Sequence, residues 1–66
     1  MAEILPGREV IFEFTPVGNI MRVTAMDTET LTEITIQCPL SAGEAAFKKN
    51  GLMRLAYVLK KKQHIT

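Results

Sequence analysis

Three successive runs in the first half of the chain alternate between apolar and polar side chains, the period-two pattern of β-strands. The runs cover residues 8–15, 20–26 and 31–37, and turn-forming residues separate them at 16–19 and 27–30. If each turn is a four-residue hairpin loop, three rows share one face: Phe14–Met21–Ile36, Phe12–Val23–Ile34 and Val10–Ala25–Thr32. A one-residue slip would turn a whole set toward water, so the pattern predicts a three-stranded antiparallel meander. On the other face this register places Glu13 opposite Arg22.

The second half of the chain predicts a helix. Pro39 ends the third strand because it cannot donate to a ladder. Ser41 and Glu44 have the spacing of a capping box, which predicts a helix from Ala42 to about Lys62. Its apolar residues form a stripe that can cover the sheet: Phe47, Leu52, Leu55, Ala56, Val58 and Leu59. The predicted fold class is therefore α+β, a meander packed on one face by a C-terminal helix (βββα).

Asn50-Gly51 interrupts the helical pattern. An interior glycine destabilises a helix by ~1 kcal/mol relative to alanine. The glycine can also supply a left-handed C-cap, which would make this a helix that ends and restarts. We favour one helix, straight or kinked.

The chain is short, and this limits its means of stabilisation. Sixty-six residues predict a single domain over 1–66, with a loose lead-in at 1–7 and a frayed tail at 63–66. Domains of this size usually rely on a disulfide, a metal or a partner subunit. Cys38 is the only cysteine and His64 the only other soft ligand, so neither an internal disulfide nor a metal site is expected. A tight core or oligomerisation therefore remains as the means of stabilisation.

Segment composition predicts a cytoplasmic protein. No stretch approaches the ~20 apolar residues of a membrane span. Residues 1–7 lack the basic start and apolar run of a secretory signal. A lone cysteine fits a reducing compartment.

Catalysis is not expected from these residues. His64 is the third residue from the C-terminus, where chains fray, so it is a poor general base. Cys38 fits a buried core position better than a reactive thiol. Glu9, Glu13 and Glu33 share the outer sheet face, where carboxylates are usually solvated. We therefore predict no enzyme activity, no cofactor and no small-molecule substrate.

Two interaction hypotheses remain. Residues 1–33 carry a net charge of 2 − 6 = −4 and residues 34–66 one of 6 − 1 = +5. A nucleic-acid module would use the basic helix through Lys49, Arg54, Lys60 and Lys61, but the outer sheet face is acidic and would repel phosphates. The favoured hypothesis is self-association or a protein partner, because three strands leave two open edges and apolar residues stay outside the core. These are Ile11, Ile20, Met26 and Leu31 on the sheet, and Met53 and Tyr57 on the helix.

Several segments carry a family resemblance: residues 10–14, 17–19, 22–27, 33–36, 42–44 and 55–60. Across residues 9–62 the chain resembles a family of short uncharacterised bacterial proteins, mainly from alphaproteobacteria. That family has no established activity, so the resemblance implies a bacterial cytoplasmic setting and no catalytic residues. Asn50-Gly51 departs from the smoother helix expected there.

Overall fold

The computed structural model describes residues 7–62 and contains one sheet and one long helix. Its elements are β1 (Val10–Val17), β2 (Ile20–Asp27), β3 (Glu33–Pro39), a 3-10 turn (Leu40–Ala42) and α1 (Glu44–Lys61). The strands are antiparallel in the order β1-β2-β3, which confirms the predicted βββα fold. The lead-in, apart from Gly7, and the tail with His64 lie outside the described residues. Within 7–62, no helix is both long enough and apolar enough to cross a membrane.

The first hairpin is tighter than predicted. Only Gly18 and Asn19 form its loop, so Val17 pairs with Ile20, where the prediction had Thr15. Gly18 adopts a φ of 62°, which suits the two-residue turns that match strand twist. The strand therefore continues through 16–17, beyond its predicted end at residue 15.

The second connection shifts the pairing by two residues as well. Met26 lies opposite Glu33, whereas the prediction placed Leu31 there. Leu31 instead lies in the loop, with a φ of 61° and its amide donating to the Asp27 carbonyl at 2.7 Å. Because side chains alternate with period two, an even shift leaves the side chains that remain in β3 on their predicted faces.

The predicted pair of Glu13 and Arg22 is wrong for the same reason. Glu13 lies opposite Thr24, and Arg22 lies between Thr15 and Gln37. Arg22 therefore pairs two residues further along β1 than predicted.

The core lies between the helix and the second and third strands. Ala25, Ile34, Leu55 and Leu59 form one buried cluster, and Val23, Cys38 and Phe47 form another. The helix packs chiefly on β2 and β3. The inward side chains of β1 are consequently only half-buried: Val10, Phe12 and Phe14.

The helix begins later than predicted, and the capping box of Ser41 and Glu44 is wrong. Ser41 lies inside the 3-10 turn, and Gly43 occupies the N-cap with a φ of 90° and no side-chain cap. A capping box needs the serine itself at the N-cap with extended backbone. The helix therefore starts at Glu44, and Ala42 belongs to the preceding turn.

Gly51 lies inside one continuous helix, as favoured from the sequence, and it is buried against the sheet. A Cβ at this position would lie 3.3 Å from Cε1 of Phe12 and 3.4 Å from Cγ1 of Val23. The absence of a side chain at Gly51 therefore lets the helix approach the sheet closely at this point.

Two substitutions of Gly51 distinguish the effect of helix propensity on stability from the effect of crowding against the sheet. Gly51→Ala should change the free energy of unfolding by less than about 1 kcal/mol, because the gain in propensity offsets the crowding of Phe12. Gly51→Leu should destabilise by about 1–3 kcal/mol, because its side chain must displace the sheet residues. Urea unfolding measures both, with Asn50→Ala as an exposed helical control that should not destabilise. Wild-type stability in Gly51→Leu would contradict the proposed close approach.

Candidate interaction surfaces

The edge of β1 that faces away from β2 has backbone groups that pair with no strand among residues 7–62. The amide of Thr28 donates to the carbonyl of Glu9 at 3.1 Å, which fixes Glu9–Thr28 as a hydrogen-bonded pair. Since such pairs alternate along an antiparallel ladder, the odd-numbered residues of β1 bond to β2. The even-numbered residues direct their backbone groups outward, and within residues 7–62 no strand pairs with them.

The residues along this edge are largely apolar: Val10, Phe12, Phe14 and Pro16. The ring centroids of Phe12 and Phe14 lie 6.0 Å apart, and Phe14 reaches Phe47 of the helix at 5.8 Å. Pro16 lacks an N–H, and because that group would point outward, the proline costs the sheet no hydrogen bond. We call this row the β1 edge.

The opposite edge of the sheet is polar. Asp27 donates its amide to the Thr32 carbonyl at 2.9 Å, so by the same alternation the odd-numbered residues of β3 point their backbone groups outward. They carry exposed, largely polar side chains: Glu33, Thr35, Gln37 and Pro39. The two edges of one sheet thus differ in character.

The four apolar residues predicted on the outer sheet face are not one patch. Ile11, half-exposed at 50%, lies opposite Met26, and Leu31 projects from the loop at the same end, 70% exposed. Ile20 lies at the other end, between Val17 and Pro39.

Polar residues separate the two ends. Thr24 and Thr35 lie opposite each other with their hydroxyl oxygens 3.2 Å apart. The outer face therefore offers two small apolar areas with a hydroxyl-lined centre.

The helix presents a basic aromatic surface on its outer side. Met53 and Tyr57 are exposed there, as predicted for helical neighbours four residues apart. The guanidinium carbon of Arg54 lies 5.3 Å from the centroid of the Tyr57 ring, and Nζ of Lys61 lies 5.7 Å from it. These four residues form the Tyr57 patch. The other two predicted cations, Lys49 and Lys60, are exposed on the same helix.

Cys38 is buried, with Val23 and Phe47 in the same cluster. Its position on the inward face of β3 is that of a core residue, the reading favoured from the sequence.

A buried carboxylate at the end of β2 was missed by the sequence reasoning. Asp27 is fully buried, and its Oδ2 accepts hydrogen bonds from Nη1 of Arg8 at 2.6 Å and from Thr30, through the hydroxyl at 2.7 Å and the amide at 3.1 Å. Arg8 also lies 3.1 Å from Oε1 of Glu29. The hydroxyl oxygens of Thr30 and Thr32 lie 2.8 Å apart. Among the described residues, Oδ1 of Asp27 has no hydrogen-bond partner.

This network ties the segment before β1 to the β2–β3 loop. Its local part has a sequence signal, because aspartate favours turns in which its side chain accepts a hydrogen bond from the nearby backbone. Its distant part has none, since Arg8 lies 19 residues from Asp27.

The pKa of Asp27 is held below its ordinary value of 3.8. Burial raises the pKa, but the hydrogen bonds from the Thr30 hydroxyl and amide and the charge of Arg8 lower it by more in total. Since the unfolded chain then binds the proton more readily, this carboxylate stabilises the fold fully above pH 3.8, and the contribution is lost as pH falls through the folded-state pKa.

Asp27→Asn should destabilise the protein at neutral pH by about 1.5–3 kcal/mol, because it removes the charge that holds Arg8. In urea unfolding at pH 7 and pH 3, the gap between wild type and variant should narrow at the lower pH. Glu29→Gln is the matched control, and it should cost less than about 1 kcal/mol because that carboxylate is 72% exposed. An equal gap at both pH values would contradict the role of the ionised carboxylate.

Comparison with known proteins identifies the family. The model of the family described as Domain of unknown function (DUF6898) matches residues 7–62, so the chain belongs to that family. Neither a curated protein nor a solved structure matches this chain. The predicted resemblance to an uncharacterised family is thereby confirmed, and the alphaproteobacterial origin stays a prediction.

Proposed function

We propose that this member of the DUF6898 family is a small non-enzymatic interaction protein that forms a homodimer through the β1 side of its sheet, in the cytoplasm. The observation that carries the proposal is the position of the helix on β2 and β3. This leaves the phenylalanines of β1 half-buried beside a row of free backbone groups. An apolar open edge favours the addition of another strand.

Charge favours the sheet over the helix as the self-association surface. Between Glu44 and Lys62 the chain carries six basic residues and one acidic residue. Two such helices face to face would bring like charges together, which opposes association. Met53 and Tyr57, proposed from the sequence as a contact, are therefore better suited to an acidic partner than to a second copy.

The environments of the reactive side chains support a non-enzymatic role. The Asp27 carboxylate accepts hydrogen bonds from Arg8 and Thr30, so its contacts stabilise the β2–β3 loop. Cys38 is enclosed in the core. Neither group is presented on the surface, where a substrate would meet it.

The molar mass of the protein in solution tests the proposal. Sedimentation equilibrium from about 10 μM to about 1 mM, a range suited to weak complexes, should show a rise from 7.4 kDa toward twice that value. Weak, concentration-dependent association is expected because a strand edge forms an interface at the small end of the usual range.

The control is Met53→Lys/Tyr57→Lys, which alters only exposed positions of the helix. It should leave the association unchanged. A strict monomer at 7.4 kDa across the whole range would contradict the proposal.

A second candidate function, nucleic-acid binding, is favoured by the Tyr57 patch. An exposed aromatic ring flanked by two cations has the components of a site that stacks a base and holds its phosphates. The acidic outer sheet face would then point away from the nucleic acid.

Fluorescence anisotropy with a labelled single-stranded oligonucleotide tests this candidate. If it is correct, Tyr57→Ala should weaken binding by about 5- to 150-fold, the range for loss of one stacked base. Arg54→Ala should reduce the slope of log K against log salt by about 0.7. Arg22→Ala, on the opposite face, is the matched control and should leave the slope unchanged; the same effect from both variants would contradict a specific site.

A further inference from the structure

We infer that the strand added at the β1 edge is β1 of a second copy, antiparallel and centred on Phe12. This inference rests on the proposed self-association and specifies its geometry. A two-fold axis through the pair makes the contact self-complementary and closed, since each copy uses the same surface.

Hydrogen bonding limits where the axis can lie. Only Val10, Phe12, Phe14 and Pro16 direct backbone groups outward, so these residues must face one another across the axis. With the axis at Phe12, each Val10 bonds with Phe14 of the second copy, and the two Phe12 residues bond with each other. Pro16 then lies outside these three pairs.

Charge excludes the two neighbouring arrangements. With the axis at Ile11, Glu9 would lie opposite Glu13 of the second copy, and this would occur twice. With the axis at Glu13, the two Glu13 residues would lie opposite each other. Like charges directly opposite each other destabilise a strand pair.

The axis at Phe12 avoids these contacts. Ile11 then lies opposite Glu13, and Glu9 lies opposite Thr15. With the axis at Phe14, Phe12 would face Pro16, which has no N–H to donate, so two hydrogen bonds would be lost. The arrangement centred on Phe12 therefore combines an uninterrupted ladder over residues 10–14 with no opposed carboxylates.

Two opposite charges at position 11 test this geometry. Ile11→Lys would place an ammonium group across from Glu13 twice in each dimer, and Ile11→Glu would place a carboxylate there. From the strength of cross-strand charge pairs, the lysine variant should lower the dimer Kd by about 2- to 30-fold and the glutamate variant should raise it by a similar factor. Sedimentation equilibrium would measure the dimer Kd. Circular dichroism would check that both variants fold, which is expected because Ile11 is half-exposed.

Gln37→Lys and Gln37→Glu are the matched controls. Gln37 lies on the same outer face but on the edge of β3, so neither substitution should change the Kd.

The possible outcomes separate this inference from the proposal beneath it. A lower Kd for Ile11→Lys together with a higher Kd for Ile11→Glu would support the inferred geometry. Weakening by both would mean that the isoleucine is buried in an outer-face contact, and no effect from either would place the contact elsewhere. Each of these results would overturn the geometry while leaving self-association intact, whereas a wild-type monomer would overturn both.

Discussion

A single helix is too narrow to cover three strands. With its side chains a helix is about 10 Å across, and neighbouring strands lie about 4.8 Å apart, so one helix covers roughly two strands. Here α1 covers β2 and β3. It approaches the sheet closely at Gly51, where a Cβ would meet Phe12 and Val23. This geometry makes β2 the most buried strand and leaves β1 incompletely covered.

The two sides of the molecule have opposite electrostatic character. The helix concentrates basic residues, with Arg54 and Lys61 beside Tyr57, while the outer sheet face carries Glu13 and Glu33. The small net charge of +1 conceals this separation. An acidic partner would therefore be attracted to the helix, and the sheet side is left for contacts that depend on backbone pairing and apolar area.

The sequence was sufficient to predict the fold because the period of its strands is so regular. All three predicted inward rows, from Val10 to Ile36, were assigned to the correct face. The pairing was displaced by two residues because loop length depends on the backbone at Gly18 and Leu31, and both positive φ angles are invisible to a periodicity argument. The helix start was misplaced for a similar reason, since Gly43 takes the cap.

The exposed surfaces were predicted less completely than the fold. Exposure of Ile11, Met53 and Tyr57 followed from the same alternation and helical spacing. The incomplete cover of the β1 edge did not, because it depends on where the helix lies on the sheet. The contact between Arg8 and Asp27 joins residues far apart in the chain, so no local pattern could reveal it.

Pro16 and Pro39 lie at the same end of the sheet, one on each outer strand, and both lack an N–H where it would point outward. A chain adding to either side meets a missing donor near the Gly18-Asn19 hairpin. Open-ended stacking of the kind found in amyloid fibrils needs an uninterrupted row of donors on both sides. The prolines therefore oppose open-ended stacking of this sheet and should reduce aggregation when the protein is concentrated.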